Sequence, residues 1–94
     1  MPEPLYGLEK KLMDLTEFDV AKLDDIVLAL LYLNAFSDHG VTRAWKGFDW
    51  ASLERLHARG WISDPKSKAK SVVLSDEGSR LAEDLFRRHF RQAV

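Results

Sequence analysis

Three histidines and no cysteine make up the reactive inventory of this 94-residue chain. His39, His57 and His89 are isolated, and no pair has the i, i+4 spacing of a helical metal site. Without thiols there is no disulfide, thiolate ligand or cysteine nucleophile. Asp24-Asp25 and Asp76-Glu77 are adjacent pairs, and neighbours on a helix point in different directions, so neither makes an acid–base dyad. Ser52 and His57 stand five positions apart, with no orienting acid or oxyanion-hole motif. Gly-x-Gly-x-x-Gly and Gly-x-x-x-x-Gly-Lys are both absent, so no phosphate cradle is indicated. The expectation is a protein that is not an enzyme, with no catalytic residue, metal ligand or cofactor.

The remaining chemistry is electrostatic and aromatic. Arg55, Arg59, Lys66, Lys68 and Lys70 crowd a short stretch that holds only Glu54 and Asp64 as acids. Net charge is −1 overall, yet residues 1–36 carry three lysines against seven acids and residues 37–94 carry eleven cations against eight. Such asymmetry can mark a binding face. Cations on a helix and an adjoining hairpin suit phosphate oxygens, with log K falling by ~0.9 per neutralised phosphate per log unit of salt. The same lysines could equally solvate a hairpin tip and discourage strand pairing at an edge. Trp45, Phe48, Trp50 and Trp61 cluster nearby, either as large core rings or as an exposed groove for a peptide or small ligand.

These residues need elements to position them. Pro2 and Pro4 open the chain, and Leu5, Leu8, Leu12 and Leu15 form one short a/d stripe, giving a helical arm over residues 1–15. Asp19 or Thr16 can cap a following helix with Leu23, Ile26, Val27, Leu30, Leu31 and Asn34 on one side. Leu28, Ala29, Tyr32 and Leu33 make its second half apolar nearly all round, which predicts a central, buried helix ended by Ser37–Gly40. Residues 41–46 suit a single helical turn with Val41, Ala44 and Trp45 inward.

Asp49 is a good N-cap, and Phe48 with Leu53 has the spacing of a hydrophobic staple. The pattern then turns Trp50, Leu53, Leu56 and His57 inward and Ser52, Arg55 and Arg59 outward, with Gly60 at the left-handed stop. Residues 61–63 start a strand, Asp64-Pro65-Lys66-Ser67 turns, and residues 69–74 alternate with period two, which predicts a hairpin. Ser75 caps a last helix with Leu81, Ala82, Leu85, Phe86 and Phe90 as its apolar stripe.

The run Leu-Glu-Arg-Leu-His-Ala-Arg-Gly-Trp-Ile, the lysine-bearing hairpin and Val-Val-Leu-Ser-Asp-Glu-Gly resemble the C-terminal half of the MarR and PadR winged-helix repressors. Leu56, Gly60, Ile62, Leu74, Ser75 and Gly78 sit on that pattern, which covers residues 49–86. The whole chain more closely resembles a family of small, uncharacterised bacterial proteins. The matching stretches are ALLYLNAF, RAWKGFDW and GWISDPKSKAKSVVLSDEG. The repressor resemblance implies a recognition helix and a wing on duplex DNA. It departs before that helix, where VTRAWKG lacks the Leu-Ala-x-x-Leu pattern of a partner helix.

The sequence therefore predicts an α+β, mostly helical fold. Residues 1–15 would form the arm, and residues 16–94 one winged helix-turn-helix-like domain with a two-stranded β-hairpin wing and flanking N- and C-terminal helices. The first functional expectation is a small DNA-binding regulator that contacts duplex through Ser52, Arg55, Arg59, Lys66, Lys68 and Lys70. The alternative is a winged-helix module that binds protein and not DNA. Surplus apolar surface on the arm, the central helix and the last helix predicts a homodimer. MPEPLYGLEKK lacks the form of a signal peptide, and the apolar run Ile26–Leu33 falls short of the ~20 residues of a membrane span. Both point to a cytoplasmic protein.

Overall fold

A computed structural model describes residues 14–92. After a short 3₁₀ turn at Leu15–Glu17, the elements run α1 (Val20–Leu33), β1 (Ala35–Asp38), β2 (Val41–Trp45), α2 (Trp50–Ala58), β3 (Ser71–Leu74) and α3 (Asp76–Phe90). The fold is α+β and mostly helical, with one antiparallel sheet in the order β1-β2-β3. The expected helical arm lies outside the described residues, except for Asp14 and Leu15. No described helix is long and apolar enough to cross a membrane.

Each helix starts at a side chain that satisfies its free N–H groups. Asp19 accepts from Lys22 N–H, Asp49 from Ser52 N–H and Ser75 from Gly78 N–H. Asp14 does the same for Thr16 N–H, and that bond holds its carboxyl below its ordinary pKa. α1 is the organising element, packing chiefly on α3 and also on α2 and β2. The core joins Val27, Leu28, Ala29 and Leu31 of α1 to Ala44, Leu53, Leu56, Ile62, Val72, Leu74, Ala82 and Leu85.

The region between α1 and α2 differs from expectation. Ala35–Asp38 and Val41–Trp45 form a hairpin, where the sequence suggested the end of a helix and a helical turn. His39 (φ 52°) and Gly40 (φ 85°) are both left-handed, the conformation that a two-residue hairpin turn requires. Ala44 is buried as expected, whereas Val41 and Trp45 point to the outer face and are 41% and 56% exposed. β2, not a helix, leads into α2, so no helix-turn-helix pair forms there among the described residues.

Residues 61–74 make less sheet than a two-stranded wing would. Ile62 forms a single antiparallel bridge with Leu74. One residue on, Ser63 N–H donates to the Val73 carbonyl at 2.8 Å, but Val73 N–H is taken by the Ser63 hydroxyl at 2.9 Å. A side chain thus replaces the next backbone rung, and Pro65 has no N–H to continue the ladder. The full partner of β3 is β2. The Lys46 ammonium donates to the Pro65 and Ser67 carbonyls at 2.7 and 2.8 Å and pins the turn from the β2 side.

α3 is seated by a backbone-to-backbone contact. Ser75 N–H donates to the Trp61 carbonyl at 3.0 Å, and a Cβ at Gly78 would collide with that same carbonyl. Glycine is required at 78 because the Trp61 backbone occupies the side-chain position. Gly78→Ala should therefore destabilise the fold by about 2–3 kcal/mol through overpacking, despite alanine's better helix propensity. A denaturant midpoint that is unchanged or raised would show the slot to be looser than this.

Candidate functional site

The six residues expected to contact duplex DNA do not form one surface. Ser52 is fully buried, not outward. Its hydroxyl donates to Asp49 at 3.2 Å and accepts from Arg55 at 3.3 Å. Arg55 turns onto α1, where Nε and Nη2 hold the two oxygens of Asp24 at 2.6 and 2.9 Å. Asp24 is only 6% exposed, so it needs a cation to offset its lost hydration. The same hydrogen bonds push the Arg55 guanidinium above its ordinary pKa, so the cationic side of the pair stays charged wherever the domain is folded.

The other four cations vary in commitment. The Arg59 guanidinium lies over the Trp61 ring, 4.9 Å from its centroid, a cation–π arrangement. Lys66 Nζ is 3.6 Å from Glu54 of α2. Lys68 and Lys70 are exposed and have no side-chain partner among the described residues. A carboxylate therefore interrupts the expected positive face at Glu54, and a buried pair withdraws Arg55 from it.

The sheet supplies a different surface. Strand register puts Phe36, Arg43 and Val73 in one row, with Val41 and Trp45 on the same face. Phe36 and Trp45 pack with centroids 5.0 Å apart and rings tilted by 32°. The Arg43 Nε donates to the Ser71 hydroxyl at 2.8 Å, which ties the guanidinium to β3. The backbone pairing continues one residue further, with Lys46 N–H on the Lys70 carbonyl at 3.2 Å, where strand alternation turns away from this face.

Trp50, expected inward, is 47% exposed at the first turn of α2. His57 is also exposed, with Nδ1 3.0 Å from the Ile62 carbonyl. Trp45 is among the rings that the sequence offers for an exposed groove, but its pairing with Phe36 depends on the β1–β2 hairpin, which the sequence did not suggest. The signal available was the short Asp38-His39-Gly40 break between β-favouring residues. No group of three or more His, Asp or Glu among the described residues could hold a metal ion.

A family model described as a domain of unknown function (DUF6429) matches residues 19–92, from the cap of α1 to just past α3. An uncharacterized protein, y4hR, of Sinorhizobium fredii (strain NBRC 101917 / NGR234) is 58% identical over 74 residues, which is 79% of this chain and 96% of that relative. No solved structure matches the chain.

The geometry makes Arg55 a positioning residue of the fold. Asp24→Ala should cost about 2 kcal/mol, between the values typical of exposed and of buried pairs, because the Arg55 side chain keeps 38% exposure. In a double-mutant cycle with Arg55→Ala, the coupling should reach about 1 kcal/mol or more. A coupling near zero in urea denaturation would remove the pair from the account of stability.

Proposed function

The chain belongs to the DUF6429 family, and on that premise we propose that the domain is a protein-interaction module whose sheet face receives an extended acidic protein segment. The observation that carries this reading is the Phe36–Trp45 ring pair, with Trp45 56% exposed on a rigid strand. A large ring held on a strand offers contact area at little cost in ordering, and such anchors dominate protein interfaces. Arg43, opposite Phe36 on the same face, favours a partner that carries a carboxylate beside apolar side chains.

Sheet order supports an extended partner. Among the described residues β1 ends the sheet on one side, while Ile62 and Ser63 cover the far side of β3. In a hairpin closed by the Asp38–Val41 pair, Ala35 and Ser37 direct their backbone groups to the open edge. A segment added there would gain main-chain hydrogen bonds and lie beside the rings.

Duplex DNA is the second reading, supported by the free Lys68 and Lys70 at the loop tip. On it, α2 and the loop at 63–70 would be a reduced MarR/PadR-like recognition helix and wing. It has fewer free cations than phosphate binding uses, since Lys46, Arg55 and Lys66 are engaged within the domain.

A photoreactive phenylalanine analogue at position 45 in the bacterial host should yield one discrete protein adduct. The purified partner segment should then bind the native domain and lose about tenfold or more in affinity with Trp45→Thr, while circular dichroism shows the fold intact. In parallel, random duplex DNA should not be retained at low salt. Partner binding unchanged by Trp45→Thr would defeat the proposal. Duplex binding with a steep salt slope, abolished by Lys68→Ala and Lys70→Ala, would transfer the assignment to DNA.

A further inference from the structure

The flank of α3 beside its core face carries a second pattern. Ser79, Glu83, Phe86 and Phe90 follow at spacings of four, three and four, the seam of a helix that meets another helix. Phe86 and Phe90 pack at 5.0 Å, Tyr32 of α1 joins Phe86 at 6.0 Å, and Phe90 is 48% exposed. These rings, with Arg87 and Arg91, line an open cleft of about 320 Å³. Leu33, next in the chain to Tyr32, is 61% exposed.

Charge indicates what covers this flank. On this flank Glu83 lies one turn before Arg87, and Arg91 one turn after it lines the cleft, so the acid sits toward the N-terminal end and the cations toward the C-terminal end. One α3 is therefore complementary to another running the opposite way. Reversal also matches size, since it sets Phe90 opposite Ser79 and Glu83 opposite Arg87. In the single chain, Arg87 Nε and Nη2 both hold one Glu83 oxygen, at 3.0 and 2.8 Å. Both side chains are largely exposed, 57% and 42%, so this i, i+4 pair contributes little on its own.

From this complementarity we infer that the occupant is a second copy of this chain, bound through antiparallel α3 helices about a two-fold axis level with Asp84 and Leu85. Glu83 and Arg87 of each copy face Arg87 and Glu83 of the other, and Phe90 fills the space over the small Ser79. The interface is isologous and closes at two copies. It uses different residues from the sheet face, so both can be occupied together.

Sedimentation equilibrium of the full chain between about 5 and 100 µM should give twice the chain mass, in the range where hot-spot truncations are readable. Phe90→Asp, at an exposed position, should raise the dissociation constant by about 100-fold or more while the circular dichroism spectrum is unchanged. The decisive arm is mixing. Glu83→Arg alone and Arg87→Glu alone should each be monomeric, because each sets like charges across the seam. An equimolar mixture of the two should form a heterodimer. Each variant has lost its own i, i+4 attraction, so recovery on mixing reports an intermolecular contact alone. A native chain that stays monomeric throughout, as it would if residues 1–13 covered the flank, overturns the proposal. So does a dimer indifferent to Phe90→Asp and to mixing, which would place the contact elsewhere.

Discussion

A carboxylate buried in the central helix constrains much of this domain. Asp24 lies on α1, nearly out of water, and its charge has to be met by a donor from another element. Arg55 meets it with two hydrogen bonds, Ser52 receives a third from the same guanidinium, and Ser52 in turn reaches Asp49 at the start of α2. One polar chain thus links α1, the body of α2 and the cap of α2. It fixes how α2 lies on α1, and with that the exposure of Trp50 on its first turn.

This network also explains why residue type alone does not place Ser52 and Arg55. A helical wheel of α2 puts Ser52 and Arg55 on the polar side, which is normally the solvent side. Here that side faces a second helix whose contact surface contains an acid, and sequence periodicity carries no information on the polarity of the opposing surface. The apolar side was more legible. Leu53, Leu56, Leu28, Leu31 and Leu85 are all buried where the pattern placed them, and Asp19, Asp49 and Ser75 cap the helices that they were expected to cap.

The hairpin between α1 and α2 was not legible. Its turn uses His39 in a left-handed conformation that glycine or asparagine usually occupies. Its strands are four and five residues long, too short for alternation to stand out. The pairing of Phe36 with Trp45 depends on that hairpin, so it too was hidden. The segment after α2 was half legible. Its turn at Asp64-Pro65 forms as read, with Ser67 N–H on the Asp64 carbonyl at 3.2 Å. The ladder beside it stops early because the Ser63 hydroxyl takes Val73 N–H. Side-chain capture of a backbone donor is a local event that β-propensity does not register.

The contact between Gly78 and the Trp61 carbonyl couples two distant parts of the fold. Helix formation in α3 is local and fast, but its first turn can seat only after the backbone at Trp61 has taken its final course. That course depends on the left-handed Gly60 and on the Ile62–Leu74 bridge, which closes a loop of eleven intervening residues. α3 is the main partner of α1, so full burial of the central helix requires this loop in its final course. Seating of the last helix on the central one is thus tied to the course of one lysine-bearing loop.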